Sequence, residues 1–290
     1  MLEAFSISQW NENFTDVNQQ RAINQLESGR ILYFPELAFS LSAEEKSFLT
    51  PEVADPSSKN IGYHPKRNKL WGVKNLGDED RQKLKNMLHR FAEQSQTLLQ
   101  QVLPLYHAHL ELGRTSFRPV QISGRPTSFR KDDKRLHVDA FPSAPNQGKR
   151  ILRVFCNINP SADRVWRLGE SFENVARHFA PAIPKPFPGS ATVLRMLKVT
   201  KSQRTLYDHY MLHMHDRMKE DENYQQTVTQ EEVRFPPAST WIVQTDHVSH
   251  AALQGQHVLE QTFYLPIHAM QNPNLSPLRI LEKILNQKLT

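Results

Sequence analysis

From about residue 115 onward the chain breaks into short apolar or alternating runs, "RILRVFCNIN", "SATVLRML", "STWIVQT" and "VLEQTFYLP", separated by proline, glycine and asparagine. Runs this short, repeated between turn residues, are the texture of a β-sandwich or jelly roll. The first third reads differently. Residues 16–28 form a helix ending at Gly29, before "RILYFP", a buried strand stopped by its proline. Ser42 with Glu45 three residues later makes a capping box. Between Asp78 and Val102, Leu84, Met87, Leu88, Phe91, Leu98, Leu99 and Val102 recur at helical spacing, which predicts one long helix with its apolar face on a sheet. "QRTLYDHYMLHMHDRMKED", residues 203–221, interrupts the strands as a helical insertion, and Ser276 with Pro277 opens a terminal helix over 276–290. The expected molecule is mainly β with flanking helices. It is one domain of residues 1–290, in which a mainly helical part, 1–113, packs on a β core, 114–270.

A chain of 290 residues buries a sizeable core, and none of its apolar runs is long enough to span a bilayer. The start, "MLEAFSISQWNENF", lacks the basic opening and apolar stretch of a signal peptide, so a cytoplasmic location is expected. Cys156 is the single cysteine, cannot form an intramolecular disulfide and reads as a small buried hydrophobe. A net charge of +6 favours an anionic partner: nucleic acid, a phosphorylated lipid or an acidic sugar. Arg114, Arg118, Arg125, Arg130, Lys131, Lys134 and Arg135 crowd one stretch, offset by Asp132 and Asp133. No helix-turn-helix register, zinc-finger spacing or RNP motif accompanies them, so no nucleic-acid partner is expected.

Within "RLHVDAFPSAP", residues 135–145, His137 and Asp139 stand two apart in extended chain, and so share a face. Two ligands cannot hold a catalytic first-row metal alone. The pattern that fits is the triad of two histidines and one carboxylate, which leaves three iron positions open. H-x-D is common by chance, so the third ligand decides. Of the chain's thirteen histidines, the twelve besides His137 compete for that place. His209 and His213, with His215 nearby, lie on the insertion helix opposite a stripe of Tyr207, Tyr210, Met211, Met214 and Met218, where a polar outer face with Asp216 and Glu220 explains them. In "WIVQTDHVSHAALQGQHVLEQTFYLP" an apolar strand carries His250 toward a glycine turn, and strand alternation lets only one of His247 and His250 face the metal. Chain position favours His250.

"LHVDAFPSAPNQGKRILRVFCNINP" and "HVSHAALQGQHVLEQTFYLP", with "RPVQISGRPTSFRKDDKRLHVD" and "YDHYMLHMHDRMKED", resemble the Kdo hydroxylases over nearly the whole chain. These are Fe(II)/2-oxoglutarate-dependent enzymes that oxidise 3-deoxy-D-manno-oct-2-ulosonic acid (Kdo) in the lipopolysaccharide inner core. The resemblance implies a double-stranded β-helix core of the jelly-roll, cupin-like kind. It also implies iron on His137, Asp139 and His250, 2-oxoglutarate and oxygen as cosubstrates, and a Kdo-lipid A substrate hydroxylated at C3. Many relatives in the wider superfamily place a cation after the distal histidine to hold the far carboxylate of 2-oxoglutarate, but here that stretch reads Glu260, Gln261, Thr262. Arg153, on the strand after H-x-D, is therefore expected to be the clamp, since a guanidinium pairs with a carboxylate in two hydrogen bonds. Arg118, Arg164 and Trp166 are further candidates. The same chemistry on another anionic substrate, and a non-catalytic jelly-roll module, are the competing readings. Leu278, Leu281, Ile284, Leu285 and Leu289 stripe the terminal helix beside Arg279, Lys283 and Lys288. That stripe either packs on the barrel or lies on the inner membrane in peripheral contact.

Overall fold

Strand alternation sorts the apolar side chains into two layers, and two sheets stack on the layer they share. The computed structural model describes residues 1–290 except 59, 75 and 123–127 and the side chain of residue 131, so Arg125 and the Lys131 side chain lie outside the described residues. The strands are β1 (Leu2–Ala4), β2 (Ile31–Phe34), β3 (Ile61–His64), β4 (Lys69–Trp71), β5 (Glu111–Arg118), β6 (Arg150–Asn157), β7 (Arg164–Leu168), β8 (Glu231–Phe235), β9 (Thr240–Gln244), β10 (His250–Gln254) and β11 (Val258–Leu265). The helices are α1 (Asp16–Glu27), α2 (Ala43–Lys46), α3 (Asp78–Val102), α4 (Pro104–His107), α5 (Phe172–Phe179), α6 (Ser190–Met196), α7 (Leu206–Glu220), α8 (Glu222–Thr227) and α9 (Pro277–Leu285).

The large sheet runs β1-β2-β9-β6-β11-β5-β3-β4 and the small one β10-β7-β8. His137 pairs with His250 through two backbone hydrogen bonds of 3.0 and 2.9 Å, which sets a fourth short segment beside β10. Four segments thus oppose the central β9-β6-β11-β5, and the result is a double-stranded β-helix. Phe155, Trp166, Phe235, Trp241, Val243 and Val258 fill the space between the sheets. On the outer face of the large sheet, Leu152, Val154 and Cys156 of β6 and Leu259 and Phe263 of β11 pack against Leu84, Leu88, Phe91 and Leu98 of α3. Each such fully buried side chain contributes about 1.5–3 kcal/mol. Burial pushes the Cys156 thiol up to about 11, which keeps it protonated and inert.

Several elements depart from the sequence reading. Residues 1–113 do more than pack on the core, because β2 pairs with β9 and β3 with β5, extending the large sheet at both ends. The helical insertion is larger than 203–221: α5, α6, α7 and α8 all lie between β7 and β8. "SATVLRML" is not a strand but α6. Periodicity cannot separate strand from helix in so short an apolar run, and Ala, Leu, Arg and Met favour helix. The terminal helix is spent on the core. Leu278, Leu281 and Leu289 are buried with Phe172 and Val175 of α5 and Tyr207 of α7, and Ile284 and Leu285 pack beside them. The membrane role considered for that stripe is therefore excluded, and the surface it covers is the helical insertion, not the barrel strands. No helix among the described residues is long and apolar enough to cross a membrane.

Candidate metal centre

His137 and Asp139 are fixed by backbone bonds rather than by a long strand: His137 through its bridge to His250, and Asp139 through its N–H, which donates to Thr245 O at 2.8 Å. His250 does not end the "TWIV" strand. That strand stops at Gln244, a turn follows, and His250 opens β10 in the opposite sheet. One donor atom from each of His137, Asp139 and His250 lies within 4.8 Å of the others. Nδ1 of His137 stands 2.8 Å from Arg135 O, and Nδ1 of His250 stands 2.8 Å from Val248 O. A carbonyl only accepts, so each Nδ1 carries the proton and each Nε2 is left with its lone pair. Burial first, then the Lys219 charge, hold His137 well below the usual imidazole range, and burial also lowers His250, so both stay neutral as a metal requires. The ring of His250 stacks on Trp166 at 5.0 Å, which fixes its plane. His247 lies elsewhere, buried against Phe172 and Gly29 and outside this group.

Arg153 reaches from β6 into the site, with Nη2 2.9 Å from Asp139 Oδ2 as an ion pair lacking hydrogen-bond alignment, and Nη1 3.1 Å from Glu260 Oε1. Burial alone would push the Asp139 carboxyl up, but the Arg153 charge, with the neighbouring histidines and the Thr245 hydroxyl, together hold the group well below the carboxylate range. Glu260 is fully buried and is bound by Arg118 as well as Arg153. Burial again opposes ionisation, and the charges of Arg118, Arg153 and Arg114, with the Arg118 hydrogen bond, overcome it, bringing Glu260 down to about 2. Arg164 is different. Its Nη1 donates to Gly255 O at 3.0 Å, its Nε has no partner, and it forms no ion pair among the described residues. Burial, reinforced by the neighbouring Arg118 charge, lowers it to about 9. Gly255, at φ +108, is the turn that brings this carbonyl in, and a side chain there would meet Asp163 O at 2.9 Å.

The three ligand candidates, all four expected cosubstrate residues and Arg114 and Arg130 line one cavity of about 460 Å³. Of the basic stretch, Arg114, Arg118 and Arg130 turn into the site, whereas Arg135 binds Lys219 O and Glu222. Arg153 Nε, Arg164 Nε and Trp166 Nε1 are buried donors with no acceptor. Three unmatched donors around one cavity are the complement of an acceptor-only ligand, and a dicarboxylate is one.

One wall of the cavity carries no motif that stands out in the sequence. Leu212, His215, Asp216 and Lys219 of α7 line the cavity, and the His215 ring meets that of His137 edge-on at 5.2 Å. Asp216 binds His215 at 2.9 Å and Arg130 at 3.2 Å, so it is not part of a solvated outer face. His209 is also buried, against Pro184 O at 2.8 Å. The spacing 212, 215, 216, 219 was the available signal, a second helical face beside the Met/Tyr stripe.

A double-stranded β-helix bearing two neutral histidines and an ionised carboxylate on one side of a cation-lined cavity defines a mononuclear non-heme iron oxygenase of the two-histidine-one-carboxylate class. The family model for 3-deoxy-D-manno-oct-2-ulosonic acid (Kdo) hydroxylase matches residues 9–288. The chain belongs to the Kdo hydroxylase family, and with it to the Fe(II)- and 2-oxoglutarate-dependent dioxygenases. Its likeness to solved structures of the Kdo hydroxylase KdoO, a non-heme Fe(II) α-ketoglutarate-dependent dioxygenase, extends over nearly the full length. The cobalt(II) complex is 48% identical, with 99% of this chain and 97% of that chain covered and a TM-score of 0.96. The complex with α-ketoglutarate and Fe(III) is 48% identical over 100% and 97%, with a TM-score of 0.96. The complex with succinate and Fe(III) is 48% identical over 99% and 97%, with a TM-score of 0.95. No curated protein matches the chain.

Proposed function

We propose that the protein hydroxylates C3 of Kdo in Kdo-lipid A at the cytoplasmic face of the inner membrane, with His137, Asp139 and His250 holding Fe(II). Iron with 2-oxoglutarate and oxygen supplies an oxidant able to take hydrogen from an unactivated methylene, which a 3-deoxy sugar presents at C3, with succinate and carbon dioxide as coproducts. The protein's part is geometry. Arg135 O and Val248 O keep each Nε2 unprotonated, Trp166 fixes the plane of His250, and Arg153 keeps Asp139 ionised. The three donors without acceptors, Arg153 Nε, Arg164 Nε and Trp166 Nε1, are the observation that carries the reading, because they would bind and orient a dicarboxylate. Arg118 stands behind them through Glu260. Arg114, Arg130 and Lys219 give the cavity a cationic wall suited to the sugar carboxylates and lipid phosphates of the substrate. The reading is tested by succinate release that requires Fe(II), 2-oxoglutarate and Kdo-lipid A together. Release by wild type and none by Asp139→Ala is expected, and release that ignores the glycolipid would contradict it.

A further inference from the structure

Among the described residues nine large hydrophobic side chains are exposed, and five of them, Phe187, Val193, Met196, Leu197 and Val199, fall within residues 187–199. Phe187 is 86% exposed and Met196 76%. Exposed apolar side chains scattered singly need no explanation, but a cluster marks a surface that something covers. The charge around it says what. No aspartate or glutamate occurs between Glu173 and Asp208, while Lys185, Arg195, Lys198, Lys201 and Arg204 do. Apolar tips among cations, without a carboxylate, match the headgroup layer of an anionic bilayer. A second copy of the chain fits poorly, because a two-fold contact would set these cations against themselves.

The segment is fastened beside the active-site cavity. Arg204 Nη2 donates to Pro142 O at 2.8 Å and Lys201 N to Ser143 O at 2.9 Å, and Pro142 lines the cavity that holds the triad. We infer that residues 187–199 are the membrane-docking surface: their apolar side chains enter an anionic bilayer interface, their cations meet lipid phosphates, and the cavity is held at the lipid surface. The inference rests on the reading that the substrate is lipid-anchored, and it assigns the contact to a segment distinct from α9 and from the basic stretch 114–135.

The test is sedimentation of the full-length protein with vesicles of phosphatidylglycerol or of phosphatidylcholine. Wild type should pellet with the anionic vesicles and not with the neutral ones. The combined Phe187→Ser, Met196→Ser, Leu197→Ser variant, and separately Arg195→Glu with Lys198→Glu, should weaken that binding by about tenfold or more. Both should keep the wild-type melting temperature and turnover of a water-soluble Kdo fragment, since none of these residues lines the cavity. Unchanged vesicle binding in the variants, or no preference of wild type for anionic vesicles, overturns the inference. So does a lipid-free wild-type dimer that the serine variant converts to monomer. Vesicle binding that follows the expected pattern while wild type fails to turn over the soluble fragment supports the docking surface and removes the Kdo reading instead.

Discussion

Asp139 is asked to be an anion inside a closed site, and its neighbours are arranged around that demand: Arg153 on one oxygen, two neutral imidazoles nearby. Asp139→Ala and His250→Ala should each reduce bound iron and turnover to background while the circular dichroism spectrum is kept, because each removes one of three ligands. His247→Ala should retain iron, since that ring lies against Phe172. The arginines separate by partner. Arg164→Ala should weaken 2-oxoglutarate binding by about 2–5 kcal/mol, the range for truncating one side of a buried charged pair, and leave iron content unchanged. Arg153→Ala should weaken both, because Asp139 and Glu260 lose their shared cation. Calorimetric titration with 2-oxoglutarate and metal analysis read the two effects apart. The H-x-D pair stands out by its spacing and His250 by chain position alone, because the strand expected to carry His250 ends at Gln244 and the turn after it erases the phase. In sequence Glu260 shows only as a missing cation, since a carboxylate between Arg118 and Arg153 is a product of β5, β6 and β11 pairing side by side.

Elements were legible where the signal is local and obscure where it depends on what covers a face. The capping box at Ser42 forms with both hydrogen bonds, α3 spans Asp78–Val102, and Pro277 opens α9 under the Ser276 cap. Each rests on chemistry within one or two turns. The destination of the α9 stripe was not legible, as an amphipathic helix looks the same on a bilayer and on α5. Leu281 is fully buried there, so Leu281→Ala should cost about 2–5 kcal/mol in urea unfolding, and removal of residues 276–290 should lower thermal stability sharply. A truncated chain as stable as wild type would contradict the packing. The second face of α7 is hidden for the same reason: Leu212, His215, Asp216 and Lys219 look like a solvated face until the cavity holding His137, Asp139 and His250 is placed beside them.

Across the fold, the part that residues 1–113 play in the large sheet is not legible in sequence, because strand pairing between β2 and β9, or β3 and β5, joins segments too distant for periodicity to report. Burial of polar groups in the finished fold also sets its acid limit. Burial, with the Arg150 charge next, pushes His247 down to about 3 from the ordinary value near 6.5. Between those values the unfolded chain takes up a proton that the folded chain excludes, so stability is full above about pH 6.5 and falls as the pH drops toward 3. His247→Leu should flatten that loss. Urea unfolding of the metal-free proteins at about pH 7 and about pH 5 checks it, and an equal loss in both would contradict the assignment.

A Kdo hydroxylase of this class inserts one atom of dioxygen into a Kdo methylene, using iron and 2-oxoglutarate. The direct measurement is mass spectrometry of Kdo-lipid A after incubation with the protein, Fe(II) and 2-oxoglutarate under ¹⁸O₂. One labelled oxygen on C3 of a Kdo residue, with stoichiometric succinate and neither product from Asp139→Ala, is the predicted result. Succinate formed at the same rate with and without the glycolipid, and a glycolipid recovered without label, would contradict it.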